Sequence, residues 1–289
     1  MTLVRNGVYM DCTETRDKQR ASDELIAGQR IFDNIMLPVF FAHSAEDARQ
    51  ALQEILRTLL DDPELAVEQF HAEHVLSNIG YHSIRIDVWA RDGNRRQLAL
   101  ELQKVTDEEV YPRAAFEGAT MLVHSLESGQ PYSKIDKVVV IFVTEKDLES
   151  KGEPVYLYES TQNGKPGGMT QAAPTYVFVN GSYRNDQTKL GKVIADIMEP
   201  NPAKMKTPLL RTRMNTLKNT AEGRKQMQTA LEKYVEEQSK KVTQRALFGL
   251  VKEGKLAIVD AAKAVGMSPQ AFEQDMLAVD VMQSASTTD

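Results

Sequence analysis

Residues 83–103 read SIRIDVWARDGNRRQLALELQ and contain two apolar stretches on either side of the dipeptide Asp92-Gly93. In both stretches apolar and polar residues alternate, which is the pattern of a β-strand with one buried face. Asp-Gly between two alternating stretches is a strong signal for the turn of a β-hairpin. The sequence therefore predicts a β-hairpin over residues 83–104.

Asp87, Glu101 and Gln103 fall on the polar face of this hairpin. Each lies at the opposite parity to the apolar residues of its own strand, so the alternation turns all three away from the apolar face. A three-residue loop with a bulge would place Asp87 opposite Glu101, whereas a two-residue loop would pair Asp87 with Leu100. The pairing of the two carboxylates therefore depends on an odd number of loop residues.

Two carboxylates that are held close together repel each other unless a cation lies between them. Mg²⁺ binds one or two protein carboxylates, keeps several waters and accepts phosphate oxygens as further ligands. The same spacing also fits an ordinary hairpin whose acidic face is solvated. The residue pattern alone leaves both interpretations open.

Further segments accompany the hairpin motif in a characteristic order. Thirteen residues separate Asp87 from the triplet Glu101-Leu102-Gln103. The other segments are Phe32-Asp33-Asn34 upstream and, downstream, Tyr111-Pro112-Arg113-Ala114 on a predicted helix, Gly129-Gln130-Pro131-Tyr132 and a predicted strand from Lys137 to Val143. This order resembles the PD-(D/E)XK nuclease superfamily and, more narrowly, the recombination-promoting nucleases of its PD-(D/E)XK family transposase branch. The resemblance covers residues 31–198.

The resemblance implies an α/β fold with a restriction-endonuclease-like mixed β-sheet core, flanking helices and an α-helical C-terminal region. It implies a metal-dependent endonuclease that hydrolyses phosphodiester bonds of DNA, with a link to recombination or mobile elements. Mg²⁺ is the expected cofactor, with Mn²⁺ or Ca²⁺ as alternatives. An RNA-cleaving or host-defence nuclease would use the same residues, and a non-catalytic nuclease fold that binds DNA or a partner is the other alternative.

By the same resemblance, the metal ligands are the carboxylates of Asp87 and Glu101 and the backbone carbonyl of Leu102. Gln103 stands where the wider superfamily has a lysine, although glutamine is usual in this branch. Its amide can bind a water or a phosphate oxygen but adds no positive charge. Arg113 is expected to supply positive charge to a phosphate if its helix faces the site, and the alternative is an ion pair with an acid on the surface. The expected catalytic residues are therefore these two carboxylates, Gln103 and Arg113.

Three further features of the sequence bear on the site. Asp33 is a candidate for a third acidic group near the metal. The helix after the hairpin reads Arg113-Ala114-Ala115-Phe116-Glu117, a stretch in which similar proteins more often carry a tyrosine, so we expect no tyrosine-dependent contacts there. His71 and His74 have a spacing found at metal sites, but residues three apart in a strand point to opposite faces, so we expect no zinc site there.

One stretch of the chain is strongly basic although the whole chain has a net charge of −6. Residues 203–226 contain seven basic residues against Glu222, a net charge of +6, so the remainder carries −12. The basic residues are Lys204, Lys206, Arg211, Arg213, Lys218, Arg224 and Lys225. A local basic stretch can bind phosphates even on an acidic protein, so we expect these residues to bind nucleic acid. The alternative is a solvated helix surface.

The chain divides by pattern into a polar N-terminal segment (1–30), a nuclease-like domain (31–198) and a helical C-terminal region (199–289). The last region contains a helix-turn-helix-like pair around Val259–Ser268 and a loose polar tail after Val281. Such pairs also occur without binding DNA, and they could instead mediate homo-oligomerisation.

Composition excludes several kinds of covalent, metal and membrane structure for this chain. A single cysteine, Cys12, excludes an internal disulfide and a Cys-based zinc site within one chain. No stretch is apolar enough for a membrane span, and the first ten residues lack the apolar core of a signal peptide. We therefore expect a cytoplasmic protein that binds no membrane, and the resemblance implies DNA as its partner, with RNA as the alternative.

Overall fold

The computed structural model describes residues 3–5, 8–10, 12–42, 46–77, 83–104, 109–165 and 167–285. The strands are β1 Leu3–Arg5, β2 Val8–Met10, β3 Val67–Leu76, β4 Ile84–Asp92, β5 Gln97–Gln103, β6 Val138–Thr144, β7 Val155–Tyr158 and β8 Thr175–Asn180. The helices are α1 Cys12–Ala27, α2 Met36–Phe40, α3 Glu46–Leu59, α4 Val110–His124, α5 Gly168–Ala172, α6 Lys189–Ile197, α7 Pro208–Asn219, α8 Ala221–Lys252, α9 Ile258–Ala264 and α10 Pro269–Ala285. Among the described residues, no helix has the length and apolarity that crossing a bilayer requires.

The main sheet has six strands in the order β3-β4-β5-β6-β8-β7. Strand β4 is antiparallel to both of its neighbours, β3 and β5, whereas β5, β6 and β8 are parallel, and β7 returns antiparallel to β8. The two parallel connections pass through helices, as parallel pairing requires. This mixed sheet with flanking helices confirms the α/β fold expected from the sequence.

The hairpin of β4 and β5 has a three-residue loop. Arg95 in this loop has a left-handed backbone with φ of 63°, and its N–H donates to the carbonyl of Asp92 at 2.9 Å. This is the geometry of a turn followed by a left-handed residue. The register pairs Val88 with Leu100, so the next position along the strands places Asp87 opposite Glu101. The prediction of an odd-length loop is confirmed.

The buried carboxylate of Asp92 stabilises this loop. It accepts hydrogen bonds from the backbone N–H of Asn94 at 3.0 Å and of Arg96 at 2.8 Å, and from Nε of Arg96 at 2.6 Å. Its carboxylate thus satisfies the loop N–H groups that the ladder leaves unpaired. A short polar residue that hydrogen-bonds the backbone after it is typical of turns.

Strand β6 is buried on both faces, as its continuous apolar sequence predicts. One set of alternating residues packs with the apolar residues of α4. This set is Val138, Val140 and Phe142, packed with Val110, Ala114 and Met121. The intervening residues Val139, Ile141 and Val143 are also buried. The sheet therefore has no open face at the level of β6. Helix α4 covers the face on which Glu101 lies beside Phe142.

The chain forms two compact units, residues 1–230 and 231–289. The first unit extends past residue 198, where the sequence places the domain boundary, because α7 packs against α2 and α3 through Leu210 and Met214. The N-terminal segment also contains more structure than expected. Helix α1 has few apolar residues and so lacks a clear period, but Ile26 near its end is buried.

The second unit is helical and has its own apolar core. Phe248 of α8 and Phe272 of α10 stack edge to face at 4.8 Å, with Ala261 and Ala262 of α9 buried beside them. Gly266, with φ of 69°, forms the turn between α9 and α10 where the sequence predicts one. Helix α10 continues beyond Val281 to Ala285, and the last four residues lie outside the described part.

Candidate active site

Two hydrogen bonds between side chain and backbone link Asp87 to Glu101 and to its neighbour Leu102. The N–H of Asp87 donates to Oε1 of Glu101 at 2.8 Å, and the N–H of Leu102 donates to Oδ2 of Asp87 at 2.9 Å. These bonds begin where the regular β4–β5 ladder ends, after the pair of Val88 and Leu100. The backbone of the hairpin thus fixes both carboxylates next to each other.

A kink in β3 frees the N–H of Asp87 for this bond. Glu73 has a left-handed backbone with φ of 52°, which is uncommon for a residue other than glycine. Its neighbours Ala72 and His74 pair with Val88 and Ile86, so Glu73 lies across from Asp87 without a regular pair. Backbone strain of this kind is concentrated at functional sites.

The Glu101 carboxylate is buried and not on a solvated face, with 1% of the residue exposed. Burial raises the pKa of Glu101 well above its usual range, and the negative charges of Asp87 and Glu117 raise it further. Burial also raises the pKa of Asp87, against the lowering effect of its bond from Leu102. The interpretation of the hairpin as a solvated acidic surface therefore does not fit the structure.

Arg113 gathers three side chains of this cluster around one guanidinium group. Nη2 donates to Oε2 of Glu101 at 2.7 Å, Nη1 to Oε1 of Gln103 at 2.9 Å, and Nε to Oε1 of Glu117 at 2.9 Å. The guanidinium also lies 5.6 Å from the ring centre of Phe142. The helix that follows the hairpin thus faces the acidic residues, as the interpretation of Arg113 requires.

Glu117 is a member of this cluster that the sequence did not single out. The residue is buried, and its Oε2 atom has no hydrogen-bond partner among the described residues. Burial raises the pKa of Glu117 to about 7, although Arg113 opposes the shift. The available signal was its position four residues after Arg113, which places both side chains on one face of α4.

The donor set fits a divalent cation better than it fits a closed ion-pair network. Asp87, Glu101 and Glu117 bring three carboxylates, against the single guanidinium of Arg113. The N–H of Leu102 points toward β4, where it donates to Asp87. In a β-strand the N–H and the carbonyl of one residue point to the same neighbouring strand. The carbonyl of Leu102 therefore also faces Asp87.

Two carboxylates and one carbonyl are a donor set that Mg²⁺ accepts together with water. Within the described ranges, no group of three or more His, Cys, Asp or Glu side chains is arranged to hold a metal ion. The carbonyl and solvent would therefore have to complete the coordination.

Asp33 is occupied by other cations. It accepts hydrogen bonds from the backbone and side chain of Arg30, and Nζ of Lys104 lies 2.7 Å from its Oδ1. Two positive side chains already balance its charge, so Asp33 offers no surplus of negative charge to a metal. Among the described residues, the third carboxylate beside Asp87 and Glu101 is that of Glu117.

Arg213 of the basic stretch lies in the interior of the first unit. Its guanidinium donates to the carbonyls of Val39 at 2.8 Å and Phe40 at 3.1 Å, which end helix α2, and to Asp47 at 3.1 Å. A cation at the C-terminal end of a helix satisfies carbonyls that have no partner within the helix. Arg213 therefore holds helices together and is not exposed to a phosphate.

Lys218 is buried in a similar way. Its ammonium donates to the carbonyls of Ala27 at 2.8 Å, Gln29 at 2.6 Å and Pro200 at 2.5 Å. Burial lowers the pKa of Lys218 to about 8. Its three donors are occupied, so this residue joins α1 to the segment after α6. The other five basic residues of the stretch, Lys204, Lys206, Arg211, Arg224 and Lys225, are exposed.

His71 and His74 lie together, contrary to the argument from strand alternation. Both rings stack on Trp89, with ring centres 5.8 Å and 5.1 Å away. The left-handed backbone of Glu73 shifts the alternation between them, which is why the argument from spacing was wrong. The expectation that they form no metal site stays a prediction.

Comparison with known proteins agrees with the resemblance seen in the sequence. Residues 40–164 match the family model of the PD-(D/E)XK nuclease family transposases. The matched segment includes the whole cluster around Arg113 and supports a nuclease- or transposase-like function. PD-(D/E)XK nucleases generally use divalent metal ions. No curated protein and no solved structure matches the chain.

Proposed function

We propose that this PD-(D/E)XK-type segment is the catalytic part of a Mg²⁺-dependent endonuclease that hydrolyses phosphodiester bonds of DNA. The observation that carries the proposal is the cluster of three neighbouring carboxylates, in which the buried Glu101 and Glu117 share the guanidinium of Arg113 and the half-buried Asp87 lies beside Glu101. Buried acids with raised pKa values and too few cationic partners are typical of catalytic sites. A link to recombination or mobile elements is part of the same proposal and rests on the family match.

Asp87, Glu101 and the carbonyl of Leu102 are the groups that would hold the metal. A bound Mg²⁺ supplies activation of a water and neutralisation of charge on the scissile phosphate. The protein fixes both carboxylates through backbone N–H groups, so the ligands are positioned before the cation arrives. Such preorganisation lowers the cost of reaching the reactive geometry.

Arg113 and Gln103 together replace the lysine of the wider superfamily. The oxygen of the Gln103 amide accepts from Arg113, which leaves the NH₂ group of Gln103 free to donate to a water or a phosphate oxygen. Arg113 brings the positive charge to this point, and 43% of its side chain remains exposed. A phosphate can therefore approach the guanidinium from the solvent side.

Glu117 acts through Arg113 as a positioning residue. Its Oε1 accepts from Nε of Arg113, and this bond aligns the remaining two nitrogens with Gln103 and Glu101. A guanidinium held by three acceptors loses much of its rotational freedom, and less of that freedom has to be lost when the substrate binds.

The rival role, DNA binding by the C-terminal helices without catalysis, has less support. Helix α10 would be the recognition helix of the helix-turn-helix-like pair, and it carries Glu273, Asp275 and Asp280 but no lysine or arginine. Helices that read DNA present donors and positive charge toward the backbone and the base edges. An acidic helix repels the duplex, so we place the nucleic-acid chemistry in the first unit.

The test is the nicking of supercoiled plasmid by purified protein with Mg²⁺, Mn²⁺ or Ca²⁺, with a single-stranded RNA as a second substrate. Asp87→Ala and Glu101→Gln should each lower the rate by a factor of about 1000 or more, because each removes metal-dependent stabilisation worth several kcal/mol. The exposed acid Glu64 provides the matched control Glu64→Ala, which should cleave at the wild-type rate. Circular dichroism checks that every variant is folded.

Two outcomes would count against the proposal. Cleavage by Asp87→Ala at the wild-type rate would show that the activity arises elsewhere or from a contaminant. Cleavage of the RNA with no nicking of DNA would keep the site but replace the substrate.

A further inference from the structure

A cleft of about 700 Å³ lies in the first unit, apart from the cluster around Arg113. Its walls are the second half of α1, the segment of residues 200–203, one face of α7 and the start of α8. The side chains that matter for its chemistry are Arg211, Arg224, Lys218, Asn201, Asn215 and Asp23. The basic stretch of the sequence thus contributes two exposed cations to a concave surface.

The charge of this cleft is positive and only partly compensated. The guanidinium groups of Arg211 and Arg224 form no hydrogen bond or ion pair within the described part of the chain. The buried ammonium of Lys218 adds positive charge, although its donors are occupied. Asp23 is the one acid among the described lining residues, and Nε2 of Gln19 donates to it at 3.1 Å. Three cations therefore face one acid in a chain that is acidic overall.

The neutral side chains of the cleft have donors to spare. The Oδ1 atom of Asn201 accepts from the N–H of Ala203 at 3.0 Å, and Oδ1 of Asn215 accepts from the amide of Asn219 at 2.7 Å. In both residues the oxygen is used and the NH₂ group remains to donate. Guanidinium and amide donors on one concave surface complement the oxygens of a phosphate.

The same lining disfavours recognition of a base. No aromatic side chain is among the described lining residues, so a base has no ring on which to stack. Proteins that bind single bases use aromatic platforms, whereas backbone contacts need only donors and positive charge. The chemistry of the cleft therefore selects a phosphate group without regard to sequence.

We propose that this cleft binds a backbone phosphate of the DNA strand, with Arg211 and Arg224 as its two charged contacts. The assignment rests on the proposed function, since it takes the strand to be the substrate of the nuclease. It gives the acidic protein a positive surface for its substrate at a place other than the metal site. Arg213 and Lys218 are not among the proposed phosphate contacts, because both already donate to backbone carbonyls inside the protein.

The test is a salt titration of duplex DNA binding by fluorescence anisotropy, in EDTA so that no cleavage occurs. The double variant Arg211→Gln with Arg224→Gln should flatten the salt dependence by about 1.8 in the slope of log K against log salt, from about 0.9 for each lost phosphate contact. The matched pair Arg245→Gln with Lys263→Gln removes two exposed charges from the second unit and should leave the slope unchanged. Thermal unfolding checks that both double variants are folded.

Each of the other outcomes of these binding experiments has its own interpretation. Equal slopes for the wild type and the Arg211 and Arg224 variant would overturn the proposal, and a change confined to the second-unit pair would move the contact to the C-terminal helices. A parallel calorimetric titration uses inorganic pyrophosphate. Pyrophosphate binding that depends on both arginines, with unchanged DNA binding, would assign the cleft to a free phosphate and overturn the DNA assignment.

The experiments can contradict the phosphate-site proposal and the nuclease proposal independently of each other. If the protein cleaves no substrate with any metal and the slope still depends on Arg211 and Arg224, the nuclease chemistry is wrong and the phosphate site stands. If Asp87-dependent nicking is observed and the slope does not depend on these arginines, the nuclease chemistry stands and the cleft has another role.

Discussion

Two groups of buried charge in the first unit are compensated very differently. Arg213 and Lys218 each find carbonyl or carboxylate oxygens for their donors, and they tie helices together. Glu101 and Glu117 share the guanidinium of Arg113 beside the half-buried Asp87, and an oxygen of Glu117 has no partner among the described residues. The sequence alone shows both groups only as charged residues near apolar ones.

The difference separates stability from function. A buried charge whose hydrogen bonds are complete is costly to disrupt, because removal of one partner leaves the other buried and unpaired, so it is suited to a structural role. A buried charge that lacks partners is costly, and such groups persist mainly where binding or catalysis uses them. We therefore expect substitutions in the two groups to change stability in opposite directions.

The largest effect on stability is expected for the satisfied cations. Lys218→Met keeps the length of the side chain but leaves the carbonyls of Ala27, Gln29 and Pro200 without their donor. The free energy of unfolding should fall by about 4 kcal/mol, since hydrogen bonds to charged groups are the stronger ones and buried acceptors are costly to leave unpaired. Urea unfolding measures this loss, with the exposed Lys225→Met as the control.

Arg213→Met should give a loss of similar size, for the same reason at the end of α2. If Lys218→Met and Arg213→Met unfold at the wild-type urea concentration, the two cations are not structural. They would then return to the candidates for phosphate binding, and the contrast between the two groups would disappear.

A smaller effect of opposite sign is expected at Glu117. Its pKa is raised to about 7 in the folded protein, so the folded state binds the proton more tightly than the unfolded state does. This contribution to stability is present in acid and is lost as the pH rises through the folded pKa. In the metal-free protein, Glu117→Gln should therefore raise the free energy of unfolding above neutral pH, by about 2 kcal/mol.

The measurement is thermal or urea unfolding in EDTA at about pH 5 and about pH 8. The wild type should lose stability between the two values and Glu117→Gln should lose less, whereas the exposed control Glu64→Gln should follow the wild type. A variant that is less stable than the wild type at both pH values would show that Glu117 stabilises the fold as an ordinary ion-pair partner of Arg113.

The sequence predicts the parts of the site that depend on local geometry. Alternation and the Asp92-Gly93 turn are local signals, and they place Asp87 opposite Glu101 once the loop has three residues. The apolar run of β6 also predicts its burial without further information. Arg113 was reached through the resemblance, which supplies the order of motifs along the chain.

Other features depend on contacts between distant parts of the chain. The carbonyls that hold Lys218 lie near the end of α1 and after α6, so no spacing within α7 distinguishes it from exposed Arg211. Helix α1 has no regular apolar period, and the bond from Lys218 to the carbonyl of Ala27 at its end is a contact that no spacing within the helix reveals. The kink at Glu73 reverses strand alternation, and nothing in the sequence around it marks a left-handed residue.

The smallest effect is expected at Gln103, where the site departs from the lysine of the wider superfamily. In Gln103→Lys the ammonium would lie beside the guanidinium of Arg113, which is 2.9 Å from the present amide oxygen, and the acceptor for Nη1 would be lost. We expect kcat to fall about tenfold, or about 1.4 kcal/mol in the barrier. The control Gln103→Met removes the acceptor without adding charge, so comparing kcat and KM for plasmid nicking separates repulsion from the lost bond.

Equal activity of Gln103→Lys and the wild type would mean that Arg113 swings away and that lysine serves as well as the glutamine–arginine pair. The buried acids would then be compensated by a movable cation, and the fixed shortage of positive charge inferred for this cluster would be wrong.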